Sequence, residues 1–348
     1  MSFAPDYRNL VMSAKNIEAP RLPLYEHFID NTIMEAILGQ EITALENGGM
    51  ADKREFMRRY CQFFLRMGYD TVSFERVICG ILPGGGALYH QRPGCIRDRE
   101  DFERYPWDQL PELFFAAYGD YFALLPEAMP PGMRAVGGPG NGLFEMVQDL
   151  VGYESLCYIL ADDEELFSDL FLAAGRAHRA IWERFLSLYG ESYCVCRFGD
   201  DMGFRSATLL DPDDLRTHII ARYRPVIDLV HRHKKPFLLH SCGAIWPVME
   251  DVIAAGIDAK HSNEDGIAPF PVWVERYGNR IGNFGGIDTD AVCRLNRAEM
   301  TDYITEVVAK CKGHGGFAFG SGNSIASYVP VESFINMTEI VRALRRES

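Results

Sequence analysis

His240 and Cys242 stand two residues apart in the run His240-Ser241-Cys242-Gly243, directly after the apolar stretch Pro236-Phe237-Leu238-Leu239. If that stretch is a buried strand, its two-residue period sends both side chains to one side at its C-terminal end. A neutral imidazole and a thiolate placed there can share one metal, and they would make half of a zinc site. The competing reading is a buried histidine that happens to neighbour a buried thiol.

Other polar runs follow apolar ones in the same way. Gly199-Asp200-Asp201-Met202-Gly203-Phe204-Arg205 comes after Tyr193 to Phe198. Asp200 and Asp201 are candidates for a catalytic acid or base or a metal ligand, and Arg205 for a substrate contact. A solvated Asp-Gly loop is the plainer reading. His261-Ser262-Asn263-Glu264-Asp265-Gly266 comes after Ile257 to Lys260 and offers an imidazole and two carboxylates, one of which can complete the metal site. Its plainer reading is an Asx turn with surface charges. Gly285-Gly286-Ile287-Asp288 reads as a tight turn and helix cap. Gly320-Ser321-Gly322-Asn323-Ser324 closes the last apolar run with small residues whose backbone N–H groups can approach an anionic group. Cys194 and Cys196 share the two-residue spacing but fall early in their run, which assigns them to the core.

Elements must bring these runs to one place. Strands are expected at Tyr69 to Phe74, Arg134 to Val136, Tyr193 to Phe198, Pro236 to His240, Ile257 to Lys260, Arg280 to Phe284 and Gly316 to Gly320, with Leu22 to Tyr25 as an eighth. Helices are expected at Asn31 to Asn47 and at Asp52 to Met67, the latter ended by Gly68. Asp211-Pro212 and Pro330-Val331-Glu332 open two more. Strand and helix alternating this often predict an α/β fold with a parallel sheet, best met by a (β/α)8 TIM barrel with N-terminal helical decoration. An open doubly wound sheet is the competitor, but it lacks a Gly-x-Gly-x-x-Gly turn. The expected organisation is one domain over residues 1–348, with 1–68 mainly helical and 69–348 forming the barrel. In such a barrel the C-terminal strand ends carry the site.

Composition narrows the function classes. The 348 residues are 47% hydrophobic and 24% charged, as in ordinary globular proteins, and the formal net charge of −14 argues against a nucleic-acid footprint. Met1 to Arg21 carries charges and prolines in place of an apolar signal core, and no window resembles a membrane span, so a cytoplasmic protein without a membrane partner is expected. Nine cysteines without a framework pattern are expected to be reduced thiols, with Cys61, Cys157 and Cys311 on apolar helical faces. A homodimer is compatible with the sequence but is not specified by it.

His240-Ser241-Cys242-Gly243, Gly256-Ile257-Asp258 and Tyr328-Val329-Pro330-Val331-Glu332 together resemble the uroporphyrinogen decarboxylase superfamily, over about Arg8 to Ala343. Within it the chain looks most similar to the zinc-dependent, corrinoid-linked methyltransferase branch, of the O-demethylase type. The resemblance implies a (β/α)8 barrel with its active site at the C-terminal mouth. The decarboxylase's Met-Arg-Gln-Ala-Gly-Arg motif, which handles porphyrinogen carboxylates, is absent; Arg21-Leu22-Pro23-Leu24-Tyr25 holds no arginine pair. The branch uses His-x-Cys-Gly for two zinc ligands, here His240 and Cys242. Its third ligand is a cysteine shortly before the final helix, but no cysteine follows Cys311, and Asn323 or a near neighbour stands in that place. Glu264 is the first candidate for the replacement and Asp201 the second. Asn323 and Tyr328 are candidate substrate contacts.

The resemblance therefore implies methyl transfer between a small methylated compound, with an O-methyl donor favoured, and the corrinoid of a partner protein. Zinc would be the Lewis acid. The corrinoid must come from a partner, since no Asp-x-His-x-x-Gly loop is present. The alternatives are a metal-free lyase related to the decarboxylase and a non-catalytic barrel that binds a corrinoid or tetrapyrrole partner.

Overall fold

A computed structural model describes residues 3–345. Seven strands, β1 (Val72–Val77), β2 (Ala135–Gly140), β3 (Tyr193–Gly199), β4 (Phe237–His240), β5 (Ala259–His261), β6 (Gly282–Ile287) and β7 (Phe317–Ser321), form one sheet. Every neighbouring pair is parallel and the spatial order follows the chain order. Parallel neighbours cannot be joined by a tight turn, so the chain must cross back through helices between strands. Those helices cover the outer face, which is why β2 to β7 are buried throughout and read as apolar or glycine-rich runs without alternation.

The inner face curls. Val136, Cys194, Val195, Leu238, Ala259, Phe284 and Ala318, drawn from all of β2 to β7, form a single small cluster with Tyr25, Leu10 and Ala14. Glu26 reaches both outer strands, its carbonyl accepting from Ser73 of β1 and its side chain from Ser321 of β7, which a flat sheet at about 4.8 Å per strand would hold too far apart. The short helix Arg8–Ala14, which supplies Leu10 and Ala14, closes the floor beneath the strand starts. Any side chain at Gly282 or Gly316 would run into the Ser13 carbonyl there.

The segment expected as an eighth strand is a single parallel bridge, Leu24 to Phe319. Tyr25 N–H donates to the Phe319 carbonyl and Phe319 N–H to the Pro23 carbonyl, both at 2.9 Å. Pro23 brings no N–H of its own, which keeps the pairing short. On its other side the Ser73 hydroxyl of β1 donates to the Glu26 carbonyl.

Glu26 is fully buried at this junction, where its carboxylate oxygens accept the Ser321 N–H at 3.0 Å and the Ser321 hydroxyl. Burial pushes its carboxyl from the ordinary 4.5 up to about 8. The folded chain therefore holds this proton more tightly than the unfolded chain. Its contribution to stability is complete below pH about 4.5 and is lost as pH rises through about 8. Glu26→Gln is expected to flatten the fall in melting temperature between about pH 5 and about pH 8.5. Parallel melting curves for parent and variant across that range would refute the assignment.

Helix boundaries differ from the pattern where glycine intervenes. The stretch expected as one helix from Asn31 is two, Asn31–Leu38 and Thr43–Glu46, because Gly39 takes φ 68° and ends the first. Met50–Met67 ends at Gly68, φ 85°, as expected. Gly285 and Gly286 belong to β6 and not to a turn; the Phe270 and Phe319 rings press on them and leave no room for a side chain. Asp288 does cap the next helix, accepting from Asp290 N–H at 2.7 Å. Cys194 and Cys196 are buried in β3, and burial pushes both thiols up to about 12, which fits the core reading. Among the described residues no helix is long and apolar enough to cross a membrane.

Candidate metal centre and active site

The sheet register sets the site. His240 at the end of β4 pairs with Gly199 of β3 on one side and His261 of β5 on the other. Paired residues of parallel strands face the same way, so both imidazoles project together into the concave interior of the sheet. Their Nδ1 atoms are 2.7 Å apart. Gly199 has no side chain to compete for the space beside the His240 ring, where a Cβ would lie 3.4 Å from Cδ2.

This contact fixes the protonation pattern. His261 Nε2 lies 3.1 Å from the Ser321 carbonyl, which can only accept, so Nε2 carries the hydrogen. Burial holds the His261 imidazole down to about 3 and His240 well below its ordinary range, so both rings are neutral. His261 Nδ1 is then the acceptor, and His240 Nδ1–H donates to it. The lone pair of His240 Nε2 is left for the cavity.

Two groups meet that lone pair. Cys242 Sγ lies 3.4 Å away and Asp201 Oδ1 3.7 Å away. Zinc bond lengths at tetrahedral angles place nitrogen and sulfur about 3.6 Å apart, and nitrogen and oxygen about 3.4 Å apart. The donors therefore stand at the spacing of one tetrahedral ion, and their chemistry fits zinc. Asp201 also braces the turn that carries Cys242, since its Oδ1 accepts Cys242 N–H at 2.8 Å. Gly243, φ 85°, packs that turn onto Gly203, where no Cβ would fit.

Without a cation the thiol resists ionisation: burial and the Asp201 carboxylate push Cys242 well above its ordinary range. A divalent ion reverses both effects. The sulfur already receives polar donors, with Asn323 Nδ2 at 3.3 Å and the Ser262 hydroxyl at 3.8 Å. A second group, His27, His240 and His261, also gathers ligand atoms within 4.8 Å. It does not suit an ion, because a hydrogen bond already joins two of the rings. His27 stacks flat on His240, centroids 3.8 Å apart and 10° between planes, so its in-plane lone pairs point past that ring.

The structure thus places Asp201 where the sequence favoured Glu264. Among the described residues Glu264 joins neither ligand group. Its carbonyl closes the turn to Ile267 and Ala268, and its charge acts on the buried Lys260. Asp200 is occupied elsewhere. Its oxygens accept Phe144 N–H at 3.1 Å, Glu145 N–H at 2.9 Å and the Tyr223 hydroxyl at 2.5 Å, which fastens the start of the helix Leu143–Val151 to β3. Asn323 is at the site, whereas Arg205 lies exposed over Gly266 and Tyr328 is 72% exposed.

A cavity of about 310 Å3 opens on Asp201 and His240, lined also by His27, Glu75, Glu145 and Asn323 among others. His27, Glu75 and Glu145 were not picked out from the sequence. Asn141 Nδ2 donates to Glu145 at 2.6 Å, and burial with the Asp201 and Asp200 carboxylates pushes the Glu145 carboxyl well above its usual range. Glu75 Oε2 accepts two bonds from the fully buried Arg197, at 2.6 and 3.0 Å, and Arg197 also donates to the Tyr25 hydroxyl at 2.6 Å. A larger cavity, about 560 Å3, lies near Ala19 to Pro23 at the start of β7, away from these ligands.

A family model described as uroporphyrinogen decarboxylase (URO-D) matches residues 96–344. A search of the curated proteins finds no match. Among solved structures, a methyltransferase from Methanosarcina mazei superposes with a TM-score of 0.72 at 14% identity, covering 97% of this chain and 98% of the other. A putative vitamin-B12 independent methionine synthase from Listeria monocytogenes superposes with a TM-score of 0.51 at 15% identity, covering 94% and 98%. At these identities the likeness is one of fold.

Proposed function

The chain belongs to the uroporphyrinogen decarboxylase family, and we propose that it is a methyltransferase moving a methyl group from a small O-methyl compound to the corrinoid of a partner protein. The observation that carries this reading is the convergence of Asp201, His240 and Cys242 at tetrahedral spacing. The fold likeness to a methyltransferase supports it. So does the lining of the cavity, which carries the carboxylates of Glu75 and Asp201 and no arginine or lysine to hold the carboxylates of a porphyrinogen. The same reading takes Leu22–Tyr25 as the eighth position of a closed (β/α)8 barrel, supported by its bridge to β7 and the Ser73 contact from β1.

Asp201, His240 and Cys242 would hold zinc, which when bound supplies a Lewis acid for the heteroatom that releases the methyl group. The chain does the rest by placement. His261 and the Ser321 carbonyl keep His240 Nε2 free of hydrogen, and Asn323 and Ser262 steady the sulfur. A corrinoid brought by the partner would supply the nucleophile that accepts the methyl group as the C–O bond breaks with its electron pair on oxygen, and Glu145, whose carboxyl is pushed up by burial and the neighbouring carboxylates, would be placed to give the departing oxygen a proton. Asp200 acts at a distance, by setting the helix that presents Glu145.

Protein purified without chelator is expected to contain one zinc per chain and to methylate a reduced corrinoid protein. Chelation should stop transfer and added zinc restore it. A well-folded preparation that takes up no zinc would overturn the reading.

A further inference from the structure

Two unmet charges of opposite sign line one chamber beside the candidate site. The chamber, of about 350 Å3, shares His27, Phe28 and Glu75 with the cavity over Asp201 and His240. Arg76 is the first. Its Nη1 donates to Glu46 at 2.7 Å and its Cζ lies 4.0 Å from the centre of the Tyr121 ring, so the guanidinium is held from two sides. Its other edge, Nε and Nη2, is buried without a hydrogen-bond partner. These two N–H groups form the fork that a carboxylate meets with both oxygens, as Glu55 meets Arg58 with two bonds of 2.7 Å. A buried charged donor left unmet costs more than an ordinary lost hydrogen bond, so the fork calls for an acceptor.

Asp30 is the second. Its Oδ1 caps the helix Asn31–Leu38, accepting Thr32 N–H at 2.9 Å and the Thr32 hydroxyl at 2.6 Å. Its backbone N–H donates to the Ile325 carbonyl at 2.8 Å, which fixes its place. Among the described residues Asp30 Oδ2 accepts no hydrogen bond and no cation pairs with the carboxylate. The other charges on the lining are paired, Arg197 with Glu75 at 2.6 and 3.0 Å and Glu46 with Arg76 itself. Two guanidiniums therefore face three carboxylates. A simple anion would meet the fork but add to the negative surplus. A simple cation would answer Asp30 and leave the fork empty. A ligand carrying both charges answers both.

We infer that this chamber holds the amino-acid end of the methyl donor, its carboxylate on the Arg76 fork and its ammonium at Asp30. The inference rests on the methyl-transfer reading for the role of the ligand but not for its binding. The O-methyl end extends through the shared opening to Asp201, His240 and Cys242, and the carbon skeleton lies against Phe56, Tyr60 and Phe74. Binding turns the fork out of its buried position, toward the 16% of the Arg76 side chain that is already exposed.

Binding tests this apart from turnover. Calorimetry on the purified protein, with and without zinc, compares O-methylserine and O-methyltyrosine, which differ in reach, with trimmed forms of each. The amines 2-methoxyethylamine and 4-methoxyphenethylamine lack the carboxylate; 3-methoxypropanoate and 3-(4-methoxyphenyl)propanoate lack the ammonium. At least one zwitterion is expected to bind saturably, and loss of either charge should weaken it by about 10-fold or more, the scale of hydrogen bonds to charged groups. Arg76→Lys keeps a cation for Glu46 but removes the fork, and should cost the carboxylate-bearing probes about 10-fold while sparing the amines. Asp30→Asn keeps the cap on Thr32 and should weaken the ammonium-bearing probes while sparing the simple carboxylates. Melting temperature serves as the folding control. Failure of both zwitterions to bind, equal binding of a zwitterion and its trimmed forms, or equal loss of every probe in both variants would overturn the inference. Zwitterion binding without methyl transfer to a reduced corrinoid protein would keep the subsite and reject the proposed activity.

Discussion

Asp201→Asn is expected to lower zinc affinity by more than about 100-fold, because outer partners of metal ligands already cost 10–100-fold when lost and Asp201 is read here as a ligand itself. The substitution keeps the shape and an amide oxygen, so the 2.8 Å bond from Cys242 N–H can persist and the turn need not collapse. What disappears is the negative charge 3.7 Å from His240 Nε2. Methyl transfer should fall with zinc occupancy and recover only in part at high zinc. Glu264→Gln supplies the contrast, since Glu264 joins neither ligand group and the change should leave zinc affinity within about 2-fold, the scale of an ordinary surface substitution. Competition against a coloured chelator measures both. If Glu264→Gln loses zinc and Asp201→Asn keeps it, the ligand set drawn from the geometry is wrong.

The seven strands were legible because a parallel strand covered on both faces leaves an apolar or glycine-rich run followed by a polar end, and each run marks itself. His240 and Cys242 were legible for the same reason, being adjacent in sequence. The third donor beside them was not. Asp200 and Asp201 are neighbours of identical type, and only the fold shows one turned to the helix start at Phe144 and the other to His240. Glu264 reads ahead of Asp201 in the sequence because a carboxylate in a polar turn looks the same whether its side chain or its carbonyl does the work. His27, Glu75 and Glu145 reach the cavity from segments far apart in the chain, through pairings such as Arg197 with Glu75 that no local pattern reveals. Arg205 and Tyr328 fell on the expected loops, yet loops beyond the strand ends face solvent as readily as they face the cavity.

His261→Phe is expected to lower zinc affinity by about 10–100-fold, although His261 lies outside the proposed ligand set. Phenylalanine keeps a planar ring in place, and the edge-on packing of Tyr25, 5.2 Å from the His261 ring, can be retained. Lost are the acceptor that holds the hydrogen of His240 on Nδ1 and the donor that satisfies the Ser321 carbonyl. His240 is then free to place its hydrogen on Nε2, pointing it at Cys242 and Asp201, and zinc must displace it to the other nitrogen before binding. Two readouts separate this from general loosening. Nitrogen NMR of the metal-free parent should show His240 as the Nδ1–H tautomer, and in the variant as a mixture. His240 should also remain neutral in both, because burial is what holds it so far below its ordinary range. A single unchanged tautomer with weakened zinc would assign His261 to packing alone, and unchanged affinity would remove the Ser321–His261–His240 relay from the metal centre.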